Sequence, residues 1–578
     1  MSTLATDRPR DSSAADEVER ALRHLVNQGL PPEKLALAAS QAARYPSHIG
    51  VQSALVELAD AANDLERLTS ALLAARQACR RQLALTPRDW SLHDLVARLE
   101  LRLGHFSAAW NAYKRILDHQ PDDASAHLGL VKSGLPLGRW EALDGFSPAQ
   151  VPDLVATNQA TASNLMALPL PGTAPALLAA GRIASERLAQ GITPLPPRQV
   201  RAAGPLRIGY VSPDYNDHAV AHQLPRVFEL HDRSRFCVYA YDIGHSDDSP
   251  YRQRILAASD SVRDCRHISD AAASAQIRAD EIDILVDLAG HTLGSRLGIF
   301  AHRPAPLAVT WLGYPATTGA PFIDYLVGDE TVVAPDLRAQ FSEAIAFLPD
   351  CYLPADDRQA IAPTCSREQA GFPQDAVVLA ALHQPYKLDG DIVGTWLRIL
   401  QRVPKAVLWL RAKEEALKER LRAEAALLGI DPCRLIIDNH LRPKPEYLAR
   451  LALADLFLDT RWFNGHSTVS DALWAGVPVL TTPGDSFAGR VASSILRASN
   501  LSDLIAADLA AYEESAVALA NSPKARATLR TRVRESRSRQ SFFNSARFVR
   551  NLETAFVTMA DRARAGLSKT DFSVPCPP

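Results

Sequence analysis

Cysteine is scarce in this chain of 578 residues, with seven in all: Cys79, Cys237, Cys265, Cys351, Cys365, Cys433 and Cys576. They lie far apart and no two form a CxxC pair, so zinc ribbons and disulfide frameworks find no support. A reducing cytoplasm is the expected compartment. Long apolar runs are also missing, and nothing approaches the roughly 18 residues that span a bilayer. The segment from Met1 to Glu19 is polar and charged, unlike a secretory signal. An excess of one charge is absent too. Lys and Arg number 63 against 65 Asp and Glu, a net charge of -2 that leaves no footprint for bulk binding to nucleic acid or an anionic membrane. What remains is globular in composition, 47% hydrophobic and 22% charged, and long enough for about four domain-sized units.

A repeat is present near the start. Pro87-Arg88-Asp89 recurs 34 positions later as Pro121-Asp122-Asp123, and Leu103-Gly104-His105-Phe106 recurs at the same interval as Leu137-Gly138-Arg139-Trp140. Apolar spacing between these marks is helical, through Trp90, Leu92, Leu95 and Leu99, then Ala108, Ala109, Tyr113, Ile116 and Leu117. A 34-residue helix–turn–helix with a terminal Pro resembles the tetratricopeptide repeat, whose stacks offer a concave surface to extended peptide. An earlier repeat is lengthened and the one after Pro121 is degenerate.

A proline-rich connector then gives way to alternating strands and helices. Strands are expected at Leu206–Val211, Phe236–Tyr241, Ile282–Leu288 and Leu307–Leu312. A second series follows at Val377–Leu382, Ala406–Arg411, Leu435–Ile437, Leu456–Leu458 and Val477–Leu480. Two such series predict two Rossmann-like halves facing a cleft, with ligands beyond the carboxyl ends of the strands. The expected division is a disordered tail (1–18), helical repeats (19–168), connector (169–204), first half (205–354), linker (355–372), second half (373–540), a helix packing across both halves (541–565) and a tail (566–578).

Chemistry concentrates at those carboxyl ends. Asn464, Gly465, His466, Ser467 and Thr468 sit where a strand passes into a helix, so free amides and the helix dipole form an anion site suited to a diphosphate. Asp471, one turn further in, is placed to accept a ribose hydroxyl. Gln384, Tyr386 and Lys387 follow another strand of the same sheet, and Lys387 is suited to neutralise a phosphate. In the segment Leu441 to Tyr447, read as a proline-stiffened loop, Lys444 and the Tyr447 ring are placed to hold a nucleotide. In the first half His218 and His222 stand four apart. A zinc pair is the poorer reading because no third ligand is near, and His218 as a base fits an imidazole that ordinarily titrates near neutrality. The loop Trp311 to Gly319 offers amides to a sugar or phosphate. Asp389-Gly390-Asp391 is a DxD sequence, but it falls where an aspartate caps a helix, and no metal is required. Five arginines from Arg530 to Arg539 read as a solvated helical face rather than a nucleic-acid site.

Taken together, Gly209-Tyr210-Val211-Ser212-Pro213-Asp214, Trp311-Leu312-Gly313-Tyr314-Pro315, Gln384-Pro385-Tyr386-Lys387 and Asn464-Gly465-His466-Ser467-Thr468 resemble the O-GlcNAc transferases of glycosyltransferase family 41, in particular its bacterial, Xanthomonas-type members. The resemblance implies tetratricopeptide-like repeats ahead of a GT-B fold, inverting chemistry without a metal or other cofactor, and transfer of GlcNAc from UDP-GlcNAc to Ser or Thr of proteins. It makes His218 the base and Lys387 the phosphate-neutralising lysine. Gln384, Lys444, His466, Ser467, Thr468 and Asp471 match positions that hold UDP; Leu312, Gly313 and Pro315 match the GlcNAc side. Partners are then a UDP-sugar and an acceptor protein along the repeats, with no nucleic acid and no membrane. Tyr447 and Phe463 depart from the animal pattern of His and Cys. A GDP-fucose-dependent O-fucosyltransferase of the same architecture stays open, as do an N-glucosyltransferase acting on Asn and a repeat-based adaptor with a degenerate catalytic half.

Overall fold

The structure is a computed structural model that describes residues 12–25, 32–61, 65–144, 146–156, 168–363, 365–439, 443–539 and 542–576. The chain forms two compact units. One comprises residues 1–133 with 243–245 and 264–273; the other comprises 134–242, 246–263 and 274–578.

The first unit is built from α1 (Ser12–Leu25), α2 (Pro32–Ala42), α3 (Ile49–Ala61), α4 (Leu65–Leu85), α5 (Trp90–Arg102), α6 (Phe106–Leu117) and α7 (Ala124–Gly134), and from α2 onward to α6 chain neighbours pack on one another. Its 34-residue period has a visible cause. Asp89 Oδ1 accepts the amide of Leu92 and Asp123 Oδ1 that of Ala126, both at 3.0 Å, so each Pro-x-Asp starts a helix by capping its free amides. Four residues on, His93 and His127 bond back to the carbonyls of Pro87 and Pro121 at 3.0 and 2.7 Å. Gly104 supplies the left-handed turn between α5 and α6, at φ 74°. Gly138 has a similar φ, 72°, yet the segments on either side are short 3-10 turns, Leu135–Leu137 and Trp140–Leu143, so the pattern ends there. The tail expected over residues 1–18 is helical from Ser12; residues 1–11 lie outside the described residues.

The second unit holds two sheets. The larger runs in the order β13-β7-β6-β5-β4-β1-β2-β3, with β1 Leu206–Ser212, β2 Phe236–Asp242, β3 Ser261–Asp264, β4 Ile284–Asp287, β5 Leu307–Thr310, β6 Tyr325–Gly328, β7 Ala344–Phe347 and β13 Phe572–Ser573. The smaller runs β10-β9-β8-β11-β12, with β8 Val377–Ala381, β9 Ala406–Arg411, β10 Leu435–Asp438, β11 Leu456–Leu458 and β12 Val479–Leu480. Its strands pair in parallel, and each is an apolar run because helices cover both faces. In each sheet the chain winds outward from its first strand in both directions. The order therefore reverses between β1 and β4 and again between β8 and β11, and such reversals open the crevice in which ligands bind.

Three strands escaped the sequence reading of the first half. β3 is four residues with alternate exposure, and β6 and β7 are four-residue strands without flanking helices of their own. The terminal segment read as a tail contributes β13, which pairs with β7 while Asp571 bonds Arg338 and the amide of Ile345. The helix Ser545–Arg564 packs on the first half, where Glu553 meets His231 Nδ1 at 3.0 Å. Phe543, just before it, lies against Trp474 of the second half. The arginines of helix Pro523–Arg539 are not simply solvated. Arg530 donates to the carbonyls of Ala452 and Ala454, Arg537 to that of Trp474, and Arg532 pairs with Asp503.

Candidate active site

Both strand-order reversals open onto one cavity of about 640 Å³, within the range of small-molecule sites. From the turns after β1 come Asp217, His218 and His222; from the turn after β5, Leu312 and Gly313. The second half contributes His383, Gln384, Tyr386 and Lys387 after β8, Trp409 and Arg411 on β9, and Asp438 on β10. It also contributes Lys444, Tyr447 and Arg450 on the helix Lys444–Leu451, and Phe463, His466, Ser467, Thr468 and Asp471 after β11.

Lys387 is held from two sides. It ends a 3-10 turn led by Pro385, its Nζ donates to the Asn464 carbonyl at 2.9 Å, and it stands 3.8 Å over the Phe463 ring. Burial pushes its pKa down to about 8, against the pull of Asp459. Asp459 closes β11 and anchors the turn beyond it, accepting the Gly465 amide and the Thr481 hydroxyl, each at 2.7 Å; burial raises its carboxyl to about 7. The helix Ser467–Trp474 begins where Gly465 and His466 release the chain, and its first residues, Ser467 and Thr468, line the cavity. No cap side chain satisfies that end, which leaves its amides for an anion.

His466 does not act there as a cation. Its Nε2 donates to the Ala488 carbonyl at 3.2 Å, and burial together with the charge of Lys387 takes its pKa down to about 3. The ring is neutral and offers Nδ1 as an acceptor, which suits a hydroxyl rather than a phosphate oxygen. Asp471 is likewise engaged, holding Lys444 in an ion pair of 2.6 Å with both side chains largely buried. Asn464 and Gly465 do not line the cavity. They shape its wall: the Asn464 side-chain amide donates to the Thr460 carbonyl, and its side-chain oxygen accepts the Ala492 amide. Lys444 and Tyr447 stand on the helix Lys444–Leu451 rather than on a loop, because Pro443 and Pro445 start it; Leu441 and Arg442 lie outside the described residues.

On the first side, His218 and His222 are not carried by a helix. His218 is 47% exposed, with Nδ1 3.5 Å from Asp214. His222 bonds Asp217 at 2.7 Å and packs on Tyr251, and burial, with Lys444 opposite, lowers its pKa. Leu312 has φ 79°, and Gly313 bonds back to Trp311, a three-residue turn that costs backbone strain and sits in the cavity wall. A Cβ on Gly313 would overlap the Leu288 carbonyl oxygen, so only glycine fits. Pro315 lies away from this cavity, beside Ala174 and Leu177. The threonine part of its loop is engaged within the fold. Glu343 takes both threonine hydroxyls and the Thr318 amide, while those hydroxyls take the amides of Gly319 and Ala320.

The DxD aspartates are in structural use, Asp389 capping helix Gly390–Arg402 through the Ile392 amide and Asp391 pairing with Arg461 at 2.7 Å. Among the described residues, three potential metal ligands converge only at Asp16, Glu19 and His48, none of which lines the cavity. Sequence reasoning missed Trp409, Arg411, Asp438 and Arg450, which line the cavity beside Tyr447. Arg450 pairs with Asp438 and lies over Trp409. A period-2 pattern ending in Trp409 and Arg411 was the available signal, because alternate residues near a strand's carboxyl end share one face.

Two Rossmann-like halves around one such cavity define the GT-B architecture. The profile of Glycosyl transferase family 41 matches residues 192–363 and 359–552, and the chain belongs to that family. It is 40% identical over 377 residues to the "Probable UDP-N-acetylglucosamine--peptide N-acetylglucosaminyltransferase SEC" of Arabidopsis thaliana, covering 64% of this chain and 38% of that protein. It is 28% identical to the UDP-N-acetylglucosamine--peptide N-acetylglucosaminyltransferase of Caenorhabditis elegans, covering 63% of this chain and 41% of that protein. The chain thus matches about two-fifths of the length of these curated relatives. Among solved structures, a mutant of the Thermobaculum terrenum O-GlcNAc transferase matches with a TM-score of 0.69 and 29% identity over 89% of this chain and 99% of that one. No described helix is long and apolar enough to cross a membrane.

Proposed function

We propose that this protein is a UDP-GlcNAc-dependent transferase that moves GlcNAc to Ser or Thr hydroxyls of proteins, with inversion and without a metal. The carrying observation is the convergence of Lys387 with the uncapped start of helix Ser467–Trp474 at the point where the second sheet reverses its strand order. That pair is suited to the charge that develops on a departing diphosphate. The names of the relatives support GlcNAc as the sugar and a peptide as the acceptor.

In this reading the acceptor oxygen attacks the anomeric carbon and His218 takes its proton. The carbon–oxygen bond to the diphosphate breaks, and UDP leaves against Lys387 and the amides of Ser467 and Thr468. His466 and Asp471 face hydroxyl groups of the donor. The acceptor polypeptide lies along the helical repeats, and the setting is the cytoplasm.

Calorimetric titration in EDTA with UDP, GDP and UDP-GlcNAc tests the proposal. UDP binding that disappears in Lys387→Ala is expected. A preference for GDP moves the assignment to the fucosyltransferase, and absence of nucleotide binding moves it to an adaptor.

A further inference from the structure

We infer that Asp214 is a positioning residue for the transfer: its carboxylate takes the Nδ1 proton of His218 and thereby leaves Nε2 of that ring free to receive the proton of the acceptor hydroxyl. The inference rests on the reading of His218 as base.

The geometry that carries it lies just beyond β1. The Asp214 amide donates to Ser212 Oγ at 3.0 Å, and Tyr215 next to it is fully buried with its hydroxyl on the Tyr210 carbonyl. The backbone at Asp214 is thus fixed by the core. Its carboxylate is only 15% exposed, and the ionisable group that faces it among the described residues is the His218 ring, with Nδ1 at 3.5 Å. Burial raises the Asp214 pKa, so its charge is poorly solvated and gains from a hydrogen-bond donor.

His218 Nδ1 has two claimants that ask for opposite tautomers. The Val220 amide, at 3.3 Å, donates to it and so requires a bare Nδ1, which in the neutral ring puts the proton on Nε2. Asp214 only accepts, and so requires the proton on Nδ1. Only the second arrangement leaves Nε2 able to act as a base. The Val220 amide makes the hydrogen bond in this structure and Asp214 stands at ion-pair distance, and catalytic hydrogen bonds commonly form or tighten only when substrate binds. In the step itself the acceptor O–H proton passes to Nε2 while its oxygen bonds to the anomeric carbon. The leaving oxygen departs with the bonding pair on UDP, and the imidazolium shares its charge with Asp214 until its extra proton returns to water. The neighbouring charges are engaged elsewhere. Asp217 and His222 bond each other on the same loop, and across the cavity stand Lys387 on the Asn464 carbonyl and the Lys444–Asp471 pair.

Asp214→Asn preserves shape and removes the charge and the acceptor preference. With UDP-GlcNAc and either water or a synthetic serine peptide as acceptor, UDP release should fall about 10²-fold in kcat. The Kd for UDP and the melting temperature should stay at the wild-type values. The acid limb of the kcat/KM–pH profile should move to lower pH, because the imidazolium loses its counter-charge. An unchanged kcat and limb in Asp214→Asn, with His218→Ala inactive, overturns this inference and spares the base. Near-normal activity in His218→Ala overturns both. Parallel loss of UDP affinity and kcat would mean that Asp214 merely props the loop, and also overturns it.

Discussion

The two edges of the cavity are built to different standards. On the second half Lys387, His466 and Lys444, all expected to touch the donor, arrive already bonded: Lys387 to a carbonyl, His466 to another, Lys444 to Asp471. On the first half His218 is half exposed and held by contacts of 3.3 and 3.5 Å on a run of turns. Burial explains the contrast. A buried cation or imidazole must be satisfied or it costs several kcal/mol, whereas an exposed ring can use water. The difference also has a functional logic under the proposed activity. Charge stabilisation of a leaving diphosphate requires dipoles fixed before the reaction, while the side that admits a polypeptide must stay open.

The largest effect should come from the fixed edge. Lys387→Ala removes a cation whose burial was unfavourable, so the fold is retained. Turnover should fall about 10²–10³-fold, measured as UDP release, together with loss of UDP binding. Near-normal turnover would mean that the second edge is not the anion site. Two glycine substitutions then compare the edges directly. In Gly465→Ala the new Cβ would overlap Thr468 Oγ1 and come within 3.2 Å of Asp459 Oδ1, pushing on the start of the helix proposed to hold the diphosphate. UDP affinity should weaken about tenfold, which is roughly 1.4 kcal/mol. Gly313→Ala collides with a backbone oxygen on the other edge. It should cost about 1–3 kcal/mol of stability and lower turnover while UDP affinity holds. Equal losses of UDP affinity in both variants would erase the distinction.

The fixed edge was also the more legible one. A strand ending in Leu458, a glycine, two hydroxyl residues and an apolar helix point by local rules to the proposed anion site, as does the placement of Lys387 behind β8. Asp459, which holds that turn through the Gly465 amide, gave no signal, because a buried acid and a surface acid look alike in sequence. The charge state of His466 was illegible for the same reason: it depends on burial and on the Ala488 carbonyl, 22 positions away. Pro315 was expected at the sugar side, with Leu312 and Gly313, from the family resemblance; Leu312 and Gly313 line the cavity, but after the strained turn at Leu312 the chain takes Pro315 away from it. The short strands β6 and β7 and the terminal β13 were hidden because their pairing is set by distant segments, not by local periodicity.

A smaller effect follows from the pKa of Lys387, about 8 in the free protein. A bound diphosphate favours the charged amine, so binding raises that pKa and takes up protons. UDP affinity should therefore be full below pH 8 and weaken as pH rises through it, approaching tenfold per unit. Calorimetry near that pH in two buffers of different ionisation enthalpy reads the proton uptake. A Kd that stays constant from about one unit below the lysine's pKa to about one and a half above it would place the lysine away from the phosphates.

The smallest effect should test whether the helical unit is read by its own rules. Asp123→Ala removes the cap that repeats Asp89 at the 34-residue interval. The loss should be about 1 kcal/mol of stability in that unit, seen as earlier urea unfolding of its helical signal. The proposed anion site lies in the other unit, so UDP affinity should be untouched. A change in UDP affinity of the size expected for Gly465→Ala would mean that the helical unit is not energetically separate from the proposed donor site.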